Sequence, residues 1–532
     1  MVIFTKKTKK LQKTRNGYGM IQTFQNKPLP SSSSLVGYAW LIAYFKLTIP
    51  LSEPSAISQK RLSSQRVQHK EWVEFDSQFE VKATPYAHLE FTIKHEKLNL
   101  LLLKTILKLF SVDEIIANIQ SNPKRILNKK IWFYYEFLLE ERLPIEDLSA
   151  GKYDELLSSK KYITRKNPIK SKRHKINNNL LGSAKLCPII QRTKTIEAYL
   201  SSDLSSNIST IINSVSKSLI RRASSFLLLA DSQASFEIEG DRVTRNRIEN
   251  WSKIINQAGK IPLSIKEIER LHAILLDNSR FIKIGLRQSE VFLGDRDREN
   301  RPIPQFIGAK SEDLKVLMED WLELHTLLSK EQIEPVLHAT ILAFSFVYIH
   351  PLEDGNGRIH RYLLHHILAQ RDFYPKGMIF PISSVILDEI EQYQEVLVSH
   401  TLPLMSMIEW EATQHGNVKI LNNTIDLYRF FDITKSCEFI YGIVEKTIKE
   451  TLPSELKYLS SFDKASYEIN EIVAMPNNMI KSLITFILQN NGKLSKKKKS
   501  KYFEELTMAE VEEIESVVIS EFHSFISSNR GE

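Results

Sequence analysis

Apolar residues in this chain of 532 recur mainly at helical spacing. Residues 98–110 (LNLLLLKTILKLF) are apolar on almost every side and predict a buried helix. Residues 112–119 and 123–141 predict two more, and the second carries the aromatic run Trp132-Phe133-Tyr134-Tyr135. The same period predicts helices over 219–239, 251–257, 265–276, 311–328, 333–349 and 384–399. Residues 417–532 read as mostly helical, punctuated by Pro453, Pro476 and Asn490-Asn491-Gly492. Other stretches break the period. In 290–307 apolar ends flank a charged tip, and Pro302 and Pro304 bar a central strand, so a hairpin or extended flap is expected. Residues 377–381 read as extended. Residues 52–82 are polar without a clear period, and the strongly basic 157–179 read as a loop or linker. The pattern predicts a mainly α fold.

The sharpest change of polarity lies at 341–369. An apolar run (ILAFSFVYI) leads into His350-Pro351-Leu352-Glu353-Asp354-Gly355-Asn356-Gly357-Arg358-Ile359-His360-Arg361, and a helical pattern leads out. A turn this polar between segments this apolar calls for a site. Either Glu353 or Asp354 can hold Mg²⁺ through one carboxylate, leaving the other positions to water and substrate phosphates. Gly355-Asn356-Gly357 opens backbone conformations closed to other residues, at the start of the next helix, where N–H groups and the helix dipole make an anion nest. Arg358 and Arg361 fall on one helix face, and each can fork onto phosphate oxygens. His350 is placed to take a proton from an attacking hydroxyl. Base, metal carboxylate, nest and cationic clamp together suit phosphoryl or nucleotidyl transfer.

Composition narrows the setting. The length predicts more than one domain. A net charge of +9 permits anionic partners without requiring them. Two cysteines, Cys187 and Cys437, exclude a disulfide framework and a CxxC pair, so a reducing cytoplasm is expected. No uninterrupted apolar run has membrane-spanning length, and residues 36–51 are broken by Lys46 and Pro50, so no membrane partner is expected. The first 30 residues lack a signal-peptide core; export by a machine that needs no signal stays compatible. His360, His365 and His366 fit no zinc spacing and read as helix histidines. The run 493–501 holds six lysines and reads as a solvated loop between helices.

Residues 350–361 resemble the Fic family signature, His-Pro-Phe-x-Asp/Glu-Gly-Asn-Gly-Arg-x-x-Arg, whose members are mostly AMP transferases. The resemblance implies ATP as substrate, Mg²⁺ on Asp354, His350 as base, and a triphosphate cradle of Gly355, Asn356, Gly357, Arg358, Ile359, His360 and Arg361. Asn356 would meet the α-phosphate and Arg361 the γ-phosphate. Leu352 departs from the pattern, standing where relatives carry Phe. Upstream, Ser235-Phe236-Glu237-Ile238-Glu239-Gly240 matches the family's inhibitory motif, Ser/Thr-x-x-x-Glu-Gly/Asn. There Glu239 would pair with Arg361 and deny it to ATP. The stretch 290–307 resembles the family hairpin along which a target protein binds. Gly285-Leu286-Arg287 before it is also family-like, and Tyr393 stands where many relatives place an adenine-contacting tyrosine.

The resemblance spans about 226–411 and implies a Fic-type helical core with a hairpin flap, flanked by mostly helical extensions. The expected division is a disordered basic tail (1–34), an N-terminal extension (35–200), a Fic core with inhibitory helix (201–415) and a C-terminal helical domain (416–532). The function expected is autoinhibited protein adenylylation, with AMP passed from ATP to a Tyr, Thr or Ser hydroxyl. Two alternatives stand beside it. One is removal of AMP assisted by Glu239. The other, ranked last, is a nucleotide-sensing regulator whose basic segments grip DNA; no helix-turn-helix spacing emerges in either flank. Target identity and oligomeric state are not written in these motifs.

Overall fold

The longest apolar runs form helices with recognisable caps, while several polar stretches fold into small sheets. The structure is a computed structural model that describes residues 23–277 and 280–528. It is mainly helical, and the chain divides into two compact units. One comprises Met1–Gln191, Gln288–Leu327 and Val398–Ile433; the other comprises Arg192–Arg287, Leu328–Leu397 and Thr434–Glu532. In this partition the segment Gln288–Leu327, which holds the hairpin, groups with the N-terminal residues.

The first unit carries more strand than the apolar period implies. Strands Ser33–Val36, Ser55–Ser58, Val73–Phe75 and Arg66–Gln68 form a four-stranded sheet in that order. Val36, Val73 and Phe75 pack against Phe91 of helix Pro85–His95, which starts on a Thr84 cap with proline at its first position. Residues 1–22 of the expected tail lie outside the described residues, whereas Thr23–Phe24 already pairs with Lys27–Pro28.

The basic stretch 157–179 is not a linker. Strands Asp154–Glu155, Ile176–Asn178 and Ile169–Ser171 pair there. Arg173 donates to both Glu136 carboxylate oxygens and to the carbonyls of Leu143 and Ile145. The charge of Arg173 is met by partners distant in sequence, which composition does not reveal. Strand Phe292–Arg296 pairs antiparallel with Pro302–Ile307, with a bulge after Leu293.

The second unit is built on helix Pro335–Ile349, buried at every position from Val336 onward. A helix apolar on all sides belongs at the centre of its unit. It packs against Asn356–Gln370 and Thr434–Lys446. The long helix Lys217–Glu237 packs on Ile382–Asp388, Arg245–Ile255 and Asn356–Gln370. Further on, Asn477–Gln489, Lys496–Tyr502 and Met508–Glu521 enclose a separate core that includes Ile484, Ile487, Phe503, Ile514 and Phe522. The lysine run expected as a loop is therefore largely a seven-residue helix. Ser495 caps it, and Lys498 lies 3.9 Å from the centroid of the Phe486 ring. Only residues 503–507 separate it from Met508–Glu521, a helix pair the sequence reading did not find. No helix among the described residues is long and apolar enough to cross a membrane.

Candidate active site

Helix Pro335–Ile349 ends at His350, whose φ of 56° places it in the left-handed region. A bulky residue adopts this conformation only when its surroundings impose it. Here the His350 N–H donates to Phe346 O at 3.0 Å, and Arg287 braces the chain from the other side. Arg287 donates from Nε to His350 O at 2.8 Å and from its backbone N–H to Pro351 O at 3.0 Å. His350 Nδ1 lies 3.1 Å from Val347 O. A carbonyl only accepts, so Nδ1 carries the proton and Nε2 holds the lone pair. Burial, helped by the Arg287 charge, pushes the His350 pKa down to about 4, against the opposing pull of Val347, Glu239 and Asp354. The ring is a neutral base near pH 7.

The loop after it is tied by Asn356. Its Oδ1 accepts from Leu352 N at 3.0 Å, and its Nδ2 donates to Leu352 O at 2.8 Å. Leu352 itself is fully buried. Gly355 has φ +86°, and a Cβ there would stand 2.6 Å from Leu275 Cδ2 of helix Ile265–Leu276. Helix Asn356–Gln370 starts immediately afterwards, so the N–H groups of Asn356, Gly357 and Arg358 are first-turn donors with no intrahelical acceptor. This is the geometry of an anion nest.

Arg358 and Arg361 are nearly or fully buried, at 3% and 0% exposure. Burying two guanidinium groups is costly unless each is paired. Arg361 donates from Nη2 to Glu239 Oε1 at 2.8 Å and to Ser235 O at 2.6 Å, and from Nε to Ser235 Oγ at 3.2 Å. The Glu239 carboxylate also presses on the nest: a Cβ on Gly357 would stand 2.1 Å from Glu239 Oε1. Arg358 donates to Asp241 Oδ2 at 2.7 Å and to Asp354 Oδ1 at 2.8 Å.

The structure therefore brings together His350, Asp354, Gly355, Asn356, Gly357, Arg358, Arg361, Ser235, Glu239 and Gly240. The Ile359 and His360 side chains point away from this group. Both are fully buried, and His360 packs edge-on against Phe344 with ring centroids 4.6 Å apart. Only their backbone could serve a cradle. Tyr393 is 4% exposed, with its hydroxyl bonded to Arg361 and its ring 6.0 Å from Phe439. It backs the arginine in this conformation. Burial pushes its phenol up to about 12.

Sequence reasoning missed three supports. Asp241 is one. Another is His365, whose Nε2 lies 2.9 Å from Asp231 Oδ2 on helix Lys217–Glu237, both side chains being buried. The third is His272, whose Nδ1 accepts from Gly285 N at 3.1 Å beneath the loop. The acidic residue two positions past Glu239 was the available clue to Asp241. The other two carry no local signal.

The Fic/DOC family model matches residues 262–368. The protein adenylyltransferase fic-1 of Caenorhabditis elegans is 29% identical over 159 residues, covering 30% of this chain and 28% of that protein. The protein adenylyltransferase Fic of Drosophila willistoni is 33% identical over 120 residues, or 22% of each chain. The chain thus spans less than a third of the length of these curated relatives. A crystal structure of a Fic domain containing signaling protein from Bacteroides thetaiotaomicron aligns with 48% of this chain and 96% of its own, at 19% identity and a TM-score of 0.35. The matched segment contains the whole constellation from His350 to Arg361, and this part of the chain is a Fic/DOC family domain.

Proposed function

We propose that this chain is an autoinhibited protein adenylyltransferase acting in the cytoplasm. ATP lies with its phosphates against the first turn of Asn356–Gln370. Nε2 of His350 accepts the proton of a Tyr, Thr or Ser hydroxyl on a target. The hydroxyl oxygen bonds to the α-phosphorus, the bond from that phosphorus to the bridging oxygen breaks, and pyrophosphate leaves. The observation that carries this reading is the His350 tautomer: Nδ1–H on Val347 O leaves the lone pair of the neutral ring on Nε2.

Among the described residues no group of three or more His, Cys, Asp or Glu side chains could hold a metal ion. Asp354 alone suits an ion carried in by phosphates, because Mg²⁺ commonly takes one or two carboxylates and leaves the rest to water and substrate. Its side chain is 46% exposed, and one oxygen already serves Arg358 and Gly355 N–H. Mg²⁺ held there would offset charge developing on the phosphates.

The target, in this reading, adds a strand along the hairpin 290–307. Glu239 on Arg361 is the inhibitory contact. The test uses the wild-type protein and Glu239→Gly with labelled ATP and Mg²⁺. Label transfer is expected to rise in Glu239→Gly and vanish with His350→Ala. Transfer that survives His350→Ala would sink the mechanism, and equal transfer with and without Glu239 would sink the inhibition. Glu239 close against Gly357 also favours a second reading, in which its carboxylate orients water to remove AMP. Release of AMP from a modified target, lost in Glu239→Ala, separates the two. The DNA-binding alternative gains nothing from the second helix of the C-terminal pair, which carries Glu510, Glu512, Glu513 and Glu515. The exposed Glu512 and Glu513 next to the lysine helix work against phosphate binding there.

A further inference from the structure

The inhibitory motif accounts for Arg361 and leaves Arg358 unexplained. The Arg358 guanidinium is bracketed by two carboxylates, Asp241 Oδ2 at 2.7 Å and Asp354 Oδ1 at 2.8 Å, and lies 5.6 Å from the centroid of the buried Phe236 ring. Its Nε has no hydrogen-bond partner among the described residues. A phosphate seeking the two-pronged grip of this arginine competes with a carboxylate at each terminal nitrogen.

The backbone explains why Asp241 arrives there. Gly240 sits at φ +73°. Its N–H donates to Glu237 O at 2.9 Å, and the Asp241 N–H donates to Phe236 O at 3.1 Å. This pair of bonds is a Schellman cap at the end of helix Lys217–Glu237. The cap fixes residues 239, 240 and 241 as one rigid hook. Its two carboxylates then fall on the two arginines of the exit helix, Glu239 on Arg361 and Asp241 on Arg358.

We propose that Asp241 is a positioning residue that acts through Arg358: it holds that guanidinium away from nucleotide phosphates, so the hook engages both arginines at once. This rests on the adenylyltransferase reading above, which assigns the nest to ATP. Asp241 is 40% exposed, so its hold on Arg358 is partly screened and a modest effect is expected.

The test measures equilibrium ATP binding to the full chain by calorimetry, with and without Mg²⁺, for wild type, Asp241→Asn, Arg358→Gln and the double variant. Asp241→Asn is expected to tighten ATP about fivefold. The gain should disappear in the Arg358→Gln background and be reversed by Asp241→Glu. A purely structural role for Asp241 would lower the unfolding midpoint without tightening ATP. Affinity unchanged or weakened by Asp241→Asn overturns the proposal, as does a gain that persists without Arg358. A parallel titration of Glu239→Gly separates the two ideas. Tightening there without tightening in Asp241→Asn overturns this inference and supports the Glu239 contact. Tightening in Asp241→Asn alone supports this inference and overturns the Glu239 contact.

Discussion

At the scale of single residues, His350 and Gly355 show how much one backbone position can decide. His350 sits in the left-handed region, and its Nδ1 is turned back onto Val347 O of its own helix. Its pKa, pushed down to about 4, keeps the base neutral well below the ordinary 6.5. The acidic limb of the kcat/KM profile is therefore expected below pH 6. Glu239 raises this pKa, so Glu239→Gly should move the limb further down; a limb near 6.5 in a stopped assay of label transfer would contradict it. Gly355 meets two obstacles to any side chain, a φ of +86° and Leu275 Cδ2. Gly355→Ala should cost about 1–2 kcal/mol for the left-handed conformation alone, measured by urea unfolding. It should also weaken ATP binding, because the first turn of the exit helix must shift. The signature residues were legible in the sequence because their chemistry is local. Asp241 was not, because its partner lies over a hundred positions away and no motif links the two.

At the scale of elements, helix Lys217–Glu237 is the part whose position matters most. It carries Ser235 and leads directly into Glu239 and Asp241. Asp231 anchors it through His365 Nε2 at 2.9 Å and through the Ser384 N–H at 3.0 Å, and all of Asp231 is buried. Removing Asp231 leaves buried polar groups without their partner, which typically costs about 1–3 kcal/mol. Asp231→Ala should lower stability by about that amount, read by chemical denaturation. It should also tighten ATP binding, because the helix that delivers Glu239 loses its anchor. Lower stability with unchanged ATP affinity would show that the anchor does not set the hook. The helical period located this helix but said nothing about which buried groups fasten it. The basic segment 157–179 went astray for a related reason: Arg173 finds Glu136, and a charge run with distant partners looks like a solvated linker.

At the scale of the whole molecule, buried neutral histidines tie stability to pH. The pKa of His350 is pushed down to about 4 and that of His360 to about 3, in both cases first by burial. Unfolded, each takes up a proton near 6.5. The unfolded state therefore binds more protons between about pH 6.5 and 4, and stability falls as pH drops through that window. These two histidines should add uptake approaching two protons to the unfolding transition of their unit, with a slope of about 1.4 kcal/mol per proton per pH unit. Stability flat from pH 7 to 4.5 would contradict this. His360→Phe, which keeps the contact with Phe344 and removes the titration, should flatten part of the slope.

The sequence by itself determined the helical class, the hairpin at 290–307 and the polar cluster from His350 to Arg361, because each depends on near neighbours: period, turn residues and spacing on one helix face. It also pointed to Ser235 and Glu239, through a short motif. Tertiary structure decided the rest. It selected the His350 tautomer, turned the Ile359 and His360 side chains into the core, set Tyr393 behind Arg361, and tied Arg358 to Asp241. Those outcomes depend on which distant groups meet in a buried space where no charge can stay unpaired, and a linear pattern does not contain that information.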